Sequence, residues 1–202
     1  MSFFSSTISL GMLTGVIKDT DENLMLRYQE GDAGAFEILY KRHKDGLYRY
    51  LLRLSGHPSS AEELFQDIWM NLIRAHKRYS VQAKFTTYLY HMAHNRLVDH
   101  YRKQGKGIPV SYEDCVEEGF EPASNDPSSD PESATSRAQQ HDCLMDSIRQ
   151  LPEAQREAFL LREETGLSIE EIASITGVSG ETAKSRLRYA VKKLRETMRG
   201  LL

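Results

Sequence analysis

The sequence predicts an all-α fold: two small helical domains joined by a flexible acidic linker, the second ending in a helix-turn-helix. Three observations predict it. Apolar residues recur at every third or fourth position over most of the chain. No stretch sustains the alternation of a strand between turn signals. A Pro-rich, acidic segment without an apolar stripe interrupts the helical pattern. The expected organisation is a flexible tail over 1–19, a helical domain over 20–104, a linker over 105–136 and a second helical domain over 137–202.

The elements follow in order. Leu24, Met25 and Tyr28 give a short amphipathic run that stops at Gly31. Phe36, Leu39, Tyr40, His43, Leu47, Tyr50, Leu51 and Leu54 line one face of a longer helix, which Gly56 and Pro58 end. Ser60 and Glu63 have capping-box spacing and are expected to open a third helix. Its apolar stripe is Ala61, Leu64, Phe65, Ile68, Leu72 and Ile73; Glu62, Glu63, Gln66, Asp67 and Asn71 lie opposite. A fourth helix runs from about Phe85 to Lys103 with Phe85, Leu89, Met92 and Leu97 inward. Four of the six prolines fall in the linker. Helices resume near Arg137, with Leu144, Ile148 and Leu151 in one stripe and Pro152 in the first turn of the next helix. Ala158, Phe159 and Leu161 follow, and Gly166 caps the end.

With 202 residues, 40% of them apolar and 27% charged, the chain reads as globular rather than disordered or membrane-embedded. No apolar run approaches the ~18–20 residues of a bilayer span. The first 16 residues lack Lys and Arg, so they read as a frayed tail rather than a secretory signal, and Met12 is an alternative start. Cys115 and Cys143 have no CxxC or Cys/His companion and read as reduced thiols. The net charge of -3 hides a pattern: residues 107–136 carry 8 acidic and no basic side chains, while 184–199 carry 7 basic residues against Glu196 alone. Such asymmetry suits two polyanion-facing blocks separated by an acidic strap.

Residues 168–195, SIEEIASITGVSGETAKSRLRYAVKKLR, have the layout of a helix-turn-helix. Ser168 and Glu171 repeat the capping-box spacing, Ile172 and Ala173 pack a short helix, Gly177 makes the turn and Val178 plugs the core. With Ala183, Leu187, Ala190 and Leu194 inward, Glu181, Thr182, Lys184, Ser185, Arg186 and Arg188 are expected to project outward. Such a helix can enter a major groove, where Arg and Lys reach guanine edges or phosphates and Ser and Thr bond either.

No catalytic constellation is present: no P-loop, GxGxxG, GxSxG or HExxH occurs. His91 and His94, three apart on one helix, could face one metal, but no Cys or carboxylate completes a set except Asp99 on another face. Neither an enzyme, a cofactor nor a metal site is expected.

The runs GDAGAFEILYKRHKDGLYRYLLRLSGHPSSAEELFQDIWMNLIRAHKRY (31–79) and FTTYLYHMAHNRLVDHYRK (85–103) resemble region 2 of extracytoplasmic-function sigma factors of bacterial RNA polymerase. LPEAQREAFLLREETGLSIEEIASITGVSGETAKSRLRYAVKKLR (151–195) resembles region 4. The resemblance implies a promoter-specificity factor whose partners are RNA polymerase core, promoter DNA and an anti-sigma factor, with no small-molecule substrate. It implies a cytoplasmic protein, held at the inner membrane where its anti-sigma factor is anchored. By position, Gln66, Asp67 and Asn71 would bind the polymerase clamp. Lys84, Asn95, Arg96, His100, Arg102 and Lys103 would hold the minus-10 strand, with Tyr79, Phe85 and Tyr88 as available aromatic faces. The outward residues of 181–188 would read the minus-35 element. The linker would thread through the polymerase channels. Tyr88 stands where the family commonly has Trp, leaving its role open between core and nucleic acid. The rival readings are a stand-alone helix-turn-helix regulator and a helical adaptor whose basic helix binds protein.

Overall fold

The computed structural model describes residues 19–105 and 134–199; side chains are described from 142 onward in the second segment. Residues 1–18 of the expected tail, 106–133 of the expected linker, Cys115 and the choice between Met1 and Met12 lie outside the described residues; 134–136, expected in the linker, belong to a helix.

Eight helices form the described chain: α1 (Asp21–Gln29), α2 (Ala33–Ser55), α3 (Pro58–Ala75), α4 (Phe85–Lys103), α5 (Ala134–Arg149), α6 (Glu153–Thr165), α7 (Ile169–Thr176) and α8 (Gly180–Arg199). A single 3-10 turn, His76–Arg78, extends α3. Local chemistry sets most ends. The Thr20 hydroxyl accepts from the Asn23 amide and the Asp32 carboxylate from those of Gly34 and Ala35, each satisfying donors that a helix start leaves unpaired. Gly56, Gly166 and Gly177 end α2, α6 and α7 in the left-handed region that glycine adopts without penalty. The Ser168–Glu171 capping box is formed with both reciprocal hydrogen bonds.

Two helix starts differ from expectation. The third helix begins at Pro58 with His57 as N-cap, so Ser60 lies inside it and caps nothing. Proline's fixed φ and missing N–H make it a better first helical residue than a terminator here. Pro152 stands one residue before α6, as its N-cap.

The first domain, α1–α4, packs Leu24, Met25, Leu39, Leu47, Leu51, Ile68, Leu72, Phe85 and Leu89 into a core, all fully buried. Burial of each such side chain stabilises the fold by about 1.5–3 kcal/mol. Gly46 lets α2 approach α4: a Cβ there would lie 3.3 Å from the Tyr90 hydroxyl. The second domain closes over Ile148, Leu151, Leu160, Leu161, Ile172, Ile175, Ala183, Ala190 and Leu194. Leu160 takes the core place expected of Phe159, which is half-buried.

The two domains touch. Helix α6 lies against α2, and α7 against α4. Every polar contact described across this boundary has its donor on the first domain and a carboxylate on the second. The Tyr50 hydroxyl and His94 Nδ1 meet Glu157 Oε1 at 2.8 and 2.7 Å. Arg49 Nε lies 3.0 Å from Glu164 Oε2, and Arg53 pairs with the other oxygen. Lys84 Nζ lies 3.0 Å from Glu171 Oε1, which also accepts from the Thr87 hydroxyl at 3.3 Å.

Candidate nucleic-acid interface

A pocket of about 400 Å³ opens where the loop after α3 meets the first turns of α4. Arg78, Tyr79, Ser80, Gln82, Ala83, Thr87, Tyr88 and His91 line it, and Ser174 of α7 closes one side. The loop is held from below: Gln29 donates to the carbonyls of Lys77 and Tyr79, and Glu22 accepts from the Phe85 amide at 2.7 Å. Tyr79 and Tyr88 meet edge to face with centroids 5.3 Å apart. Tyr79 is buried, and its hydroxyl has no partner among the described residues. Burial, then the nearby Glu22 carboxylate, raises its pKa to about 12, so the phenol stays a donor at neutral pH. Tyr88 is half-buried and its pKa is raised by burial; it packs on Tyr79 and faces the pocket at once. The two readings left open for it are therefore not exclusive. Phe85 is fully buried and offers no free face.

The residues expected to touch the minus-10 strand do not form one patch. At 3.6 residues per turn, Lys84, Asn95 and Arg102 share one side of α4, with Arg96, His100 and Lys103 about 100–160° away. Lys84 is paired with Glu171. Asn95 is exposed and meets His91 Nδ1 at 3.3 Å. Arg96 is half-buried; its Nε and Nη2 both lie 3.0 Å from the Asn71 amide oxygen in the orientation that satisfies both groups. His100 bonds Gln104 at 2.8 Å and packs edge-on against Tyr101. Arg102 and Lys103 are exposed, Arg102 at the mouth of a second cleft between the domains. Arg78 and His91 line the pocket; the sequence pointed to His91 only as half of a rejected metal pair and did not point to Arg78. A basic residue just before the tyrosine loop and a histidine one turn after Thr87 were the available signals.

On α3, Gln66 and Asp67 are exposed, while Asn71 is half-buried against Arg96. A residue expected to bind polymerase thus touches one expected to bind DNA. His91 faces the pocket and His94 faces Glu157, so the two imidazoles point to different neighbours.

In the helix-turn-helix, the Ser179 hydroxyl accepts from the Thr182 amide at 3.1 Å and bonds its hydroxyl at 2.9 Å, capping α8. Glu181, Lys184 and Arg188 are exposed; Thr182 and Ser185 are half-exposed. Arg188 lies over the Tyr189 ring, 5.0 Å from its centroid, which holds the guanidinium at the surface. Arg186 corrects an expectation. It is 7% exposed, faces the cleft between the domains with Leu97, Val98 and Tyr101, and its Nε has no partner among the described residues. Leu187, expected inward, is half-exposed. The reason is helical phase: Arg186 is three residues after Ala183 and four before Ala190, so it lies at the edge of the alanine stripe that packs against α6 and α7.

Comparison with known proteins follows the same division. The family description Sigma-70 region 2 matches residues 39–107, and Sigma-70, region 4 matches 141–194. RNA polymerase sigma factor CarQ of Myxococcus xanthus is 33% identical over 86% of this chain and 95% of its own. The RNA polymerase sigma-H factor of Pseudomonas aeruginosa is 29% identical, covering 92% and 97%. The ECF RNA polymerase sigma-E factor of Escherichia coli is 31% identical, covering 83% and 88%. Among solved structures, CnrH in complex with the cytosolic domain of CnrY superposes with a TM-score of 0.63 at 19% identity, over 90% of this chain and 99% of that one. The sigma factor RpoE in complex with the anti-sigma factor NepR from Bartonella quintana gives 0.60 at 24% identity, over 81% and 96%. Both likenesses bear on the fold.

Proposed function

The chain belongs to the extracytoplasmic-function sigma factors of RNA polymerase, and from that premise we propose how its two domains divide the work. The pocket beneath the tyrosine loop takes an unstacked base of the minus-10 strand, with Tyr79 and Tyr88 as faces and Arg78, Asn95, Arg102 and Lys103 as phosphate contacts. Stacking contributes roughly 1–3 kcal/mol per base, comparable with the few kcal/mol needed to extrude one. Capture can therefore hold a bubble open without nucleotide hydrolysis. Helix α8 reads the minus-35 element through Lys184, Ser185 and Arg188, with Glu181 and Thr182 at its N-terminus. Gln66 and Asp67 on the outer side of α3 bind the clamp of core polymerase. The protein is not itself an enzyme; it acts in the cytoplasm, and an anti-sigma factor holds it inactive.

The observation that carries this reading is the pairing, in one chain, of a tyrosine-walled pocket beside a basic helix with a capped helix-turn-helix. Two consequences follow from the geometry. Lys84 meets a phosphate only in competition with Glu171, and Arg186 lines the cleft between the domains rather than the exposed face of α8. Region 4 also presents its exposed basic face even while the domains touch.

Run-off transcription with purified core polymerase tests the assignment. Promoter-dependent product is expected with core plus this protein and not with either alone. Tight, sequence-specific duplex binding without core, and no core-dependent product, would instead establish a stand-alone regulator.

A further inference from the structure

The boundary between the domains is chemically one-sided. Arg49, Tyr50, Arg53, Lys84, Thr87 and His94 donate from the first domain, while Glu157, Glu164 and Glu171 accept from the second. Of these three carboxylates, Glu171 is the one that bonds Thr87, a residue lining the candidate base pocket. Its Oε2 accepts from the Ser168 amide at 2.8 Å as part of the α7 capping box, which fixes its direction. Its Oε1 is thereby turned towards Lys84 and Thr87. Three residues further along the same helix, Ser174 forms the pocket's wall. One short helix thus supplies both an anion for Lys84, which stands beside the lining residue Ala83 at the pocket's edge, and a residue of the pocket's side.

We propose that α7 is a built-in plug on the base pocket, with Glu171 standing where a DNA phosphate would sit, so that single-stranded DNA must displace Glu171 from Lys84 to enter. The inference rests on the assignment of the pocket to the minus-10 strand. Glu157 and Glu164 anchor the plug: Glu164 is largely buried between two arginines, and Glu157 is tied to α2 and α4 together. The Lys84–Glu171 pair is the outer, breakable contact, with the lysine side chain 66% exposed and the glutamate 20%. Salt screens such a pair, and a polyanion competes with it directly. Arg186, which lines the cleft between the domains, has its Nε buried without a hydrogen-bond partner among the described residues. Because the outer Lys84–Glu171 pair is exposed and breakable, the plug is reversible.

The test uses the full chain and a fluorescein-labelled single-stranded oligodeoxythymidine of about 15 nucleotides. Glu171→Gln removes the charge but keeps an acceptor for the cap, since glutamine also serves in a capping box. It should bind the oligonucleotide roughly five-fold tighter than wild type, as expected when an occupying anion is removed. In a Lys84→Ala background the same change should bring no gain. Equal binding by wild type and Glu171→Gln, or a gain that survives Lys84→Ala, overturns the proposal. A second readout does not depend on DNA affinity. By small-angle X-ray scattering at low salt, the Glu157→Gln/Glu164→Gln/Glu171→Gln variant should have a larger radius of gyration than wild type at unchanged helix content. Equal radii overturn it as well. Core-dependent transcription measured alongside separates the failures: product without a plug effect removes the plug alone, whereas no product from wild type removes the function on which it rests.

Discussion

His94 Nδ1 lies 2.7 Å from Glu157 Oε1, and the Tyr50 hydroxyl donates to that same oxygen at 2.8 Å. One carboxylate of α6 thereby joins α2 and α4, two helices of the other domain. Tyr50 is fully buried, and burial, reinforced by Glu157, pushes its phenol pKa well above the ordinary value, so it remains a donor throughout the physiological range.

Glu157→Ala leaves the Tyr50 hydroxyl buried without its acceptor. The expected cost is about 1–3 kcal/mol, against about 1 kcal/mol for Tyr50→Phe, which removes the stranded group itself. Urea denaturation measures both. In the double variant the loss should fall short of the sum, because the second change removes the donor that the first left unpaired. Strict additivity would show that the two side chains do not share a bond.

Asp21 gives stability a pH dependence. Partial burial would raise its pKa, but hydrogen bonds from His43 Nε2 at 2.7 Å and Arg42 at 2.6 Å outweigh burial and hold it below the ordinary carboxylate value. A depressed acid contributes stability that is fully present above its unfolded pKa and lost as pH falls through its folded one. Asp21→Asn should therefore cost stability near pH 7, by an amount that solvent screening of this half-buried group reduces, and the difference from wild type should shrink as pH falls through the carboxylate range. A gap that stays constant down the pH scale would assign the effect to packing.

Lys184→Ala or Arg188→Ala should weaken binding to the upstream promoter element by ~1–3 kcal/mol where the side chain makes a bidentate base contact, and less where it touches phosphate only. Fluorescence anisotropy of residues 137–202 on promoter duplex, across a salt series, separates the two: loss of a phosphate contact also reduces the log–log salt slope. Arg188 is already held over Tyr189 and has less ordering entropy to lose on binding.

Asp67→Ala should weaken competition for core polymerase and leave the duplex affinity of region 4 unchanged. Asn71→Ala should act differently, because it also releases Arg96. A shift in minus-10 strand binding with Asn71→Ala, absent with Asp67→Ala, would be the mark of that contact. Unaltered core competition by Asp67→Ala would place the clamp surface elsewhere.

Helix identity was readable wherever a periodic stripe met a punctuating residue. Gly56, Gly166, Gly177 and the Ser168–Glu171 box ended or opened helices as their local chemistry requires, since each satisfies backbone groups within a few residues. Pro58 was less readable because the same residue can follow one helix or begin the next. The pocket was half legible: its tyrosines and loop were expected, but Arg78 and His91 reach it only through the turn of the 3-10 segment and the phase of α4.

The order of local interactions along the chain was enough to determine two helical domains, a capped helix-turn-helix and the sigma-factor resemblance, because caps, stripes and turns act over three or four residues. What only the tertiary structure decided is which charges are spent. Lys84 on Glu171 and Arg96 on Asn71 join positions 84 and 171 and 96 and 71, and Arg186 is turned to the cleft that α4 also lines. A lone basic residue on a helix reads as available for DNA until a partner distant in sequence folds against it, and such partners leave no periodic trace.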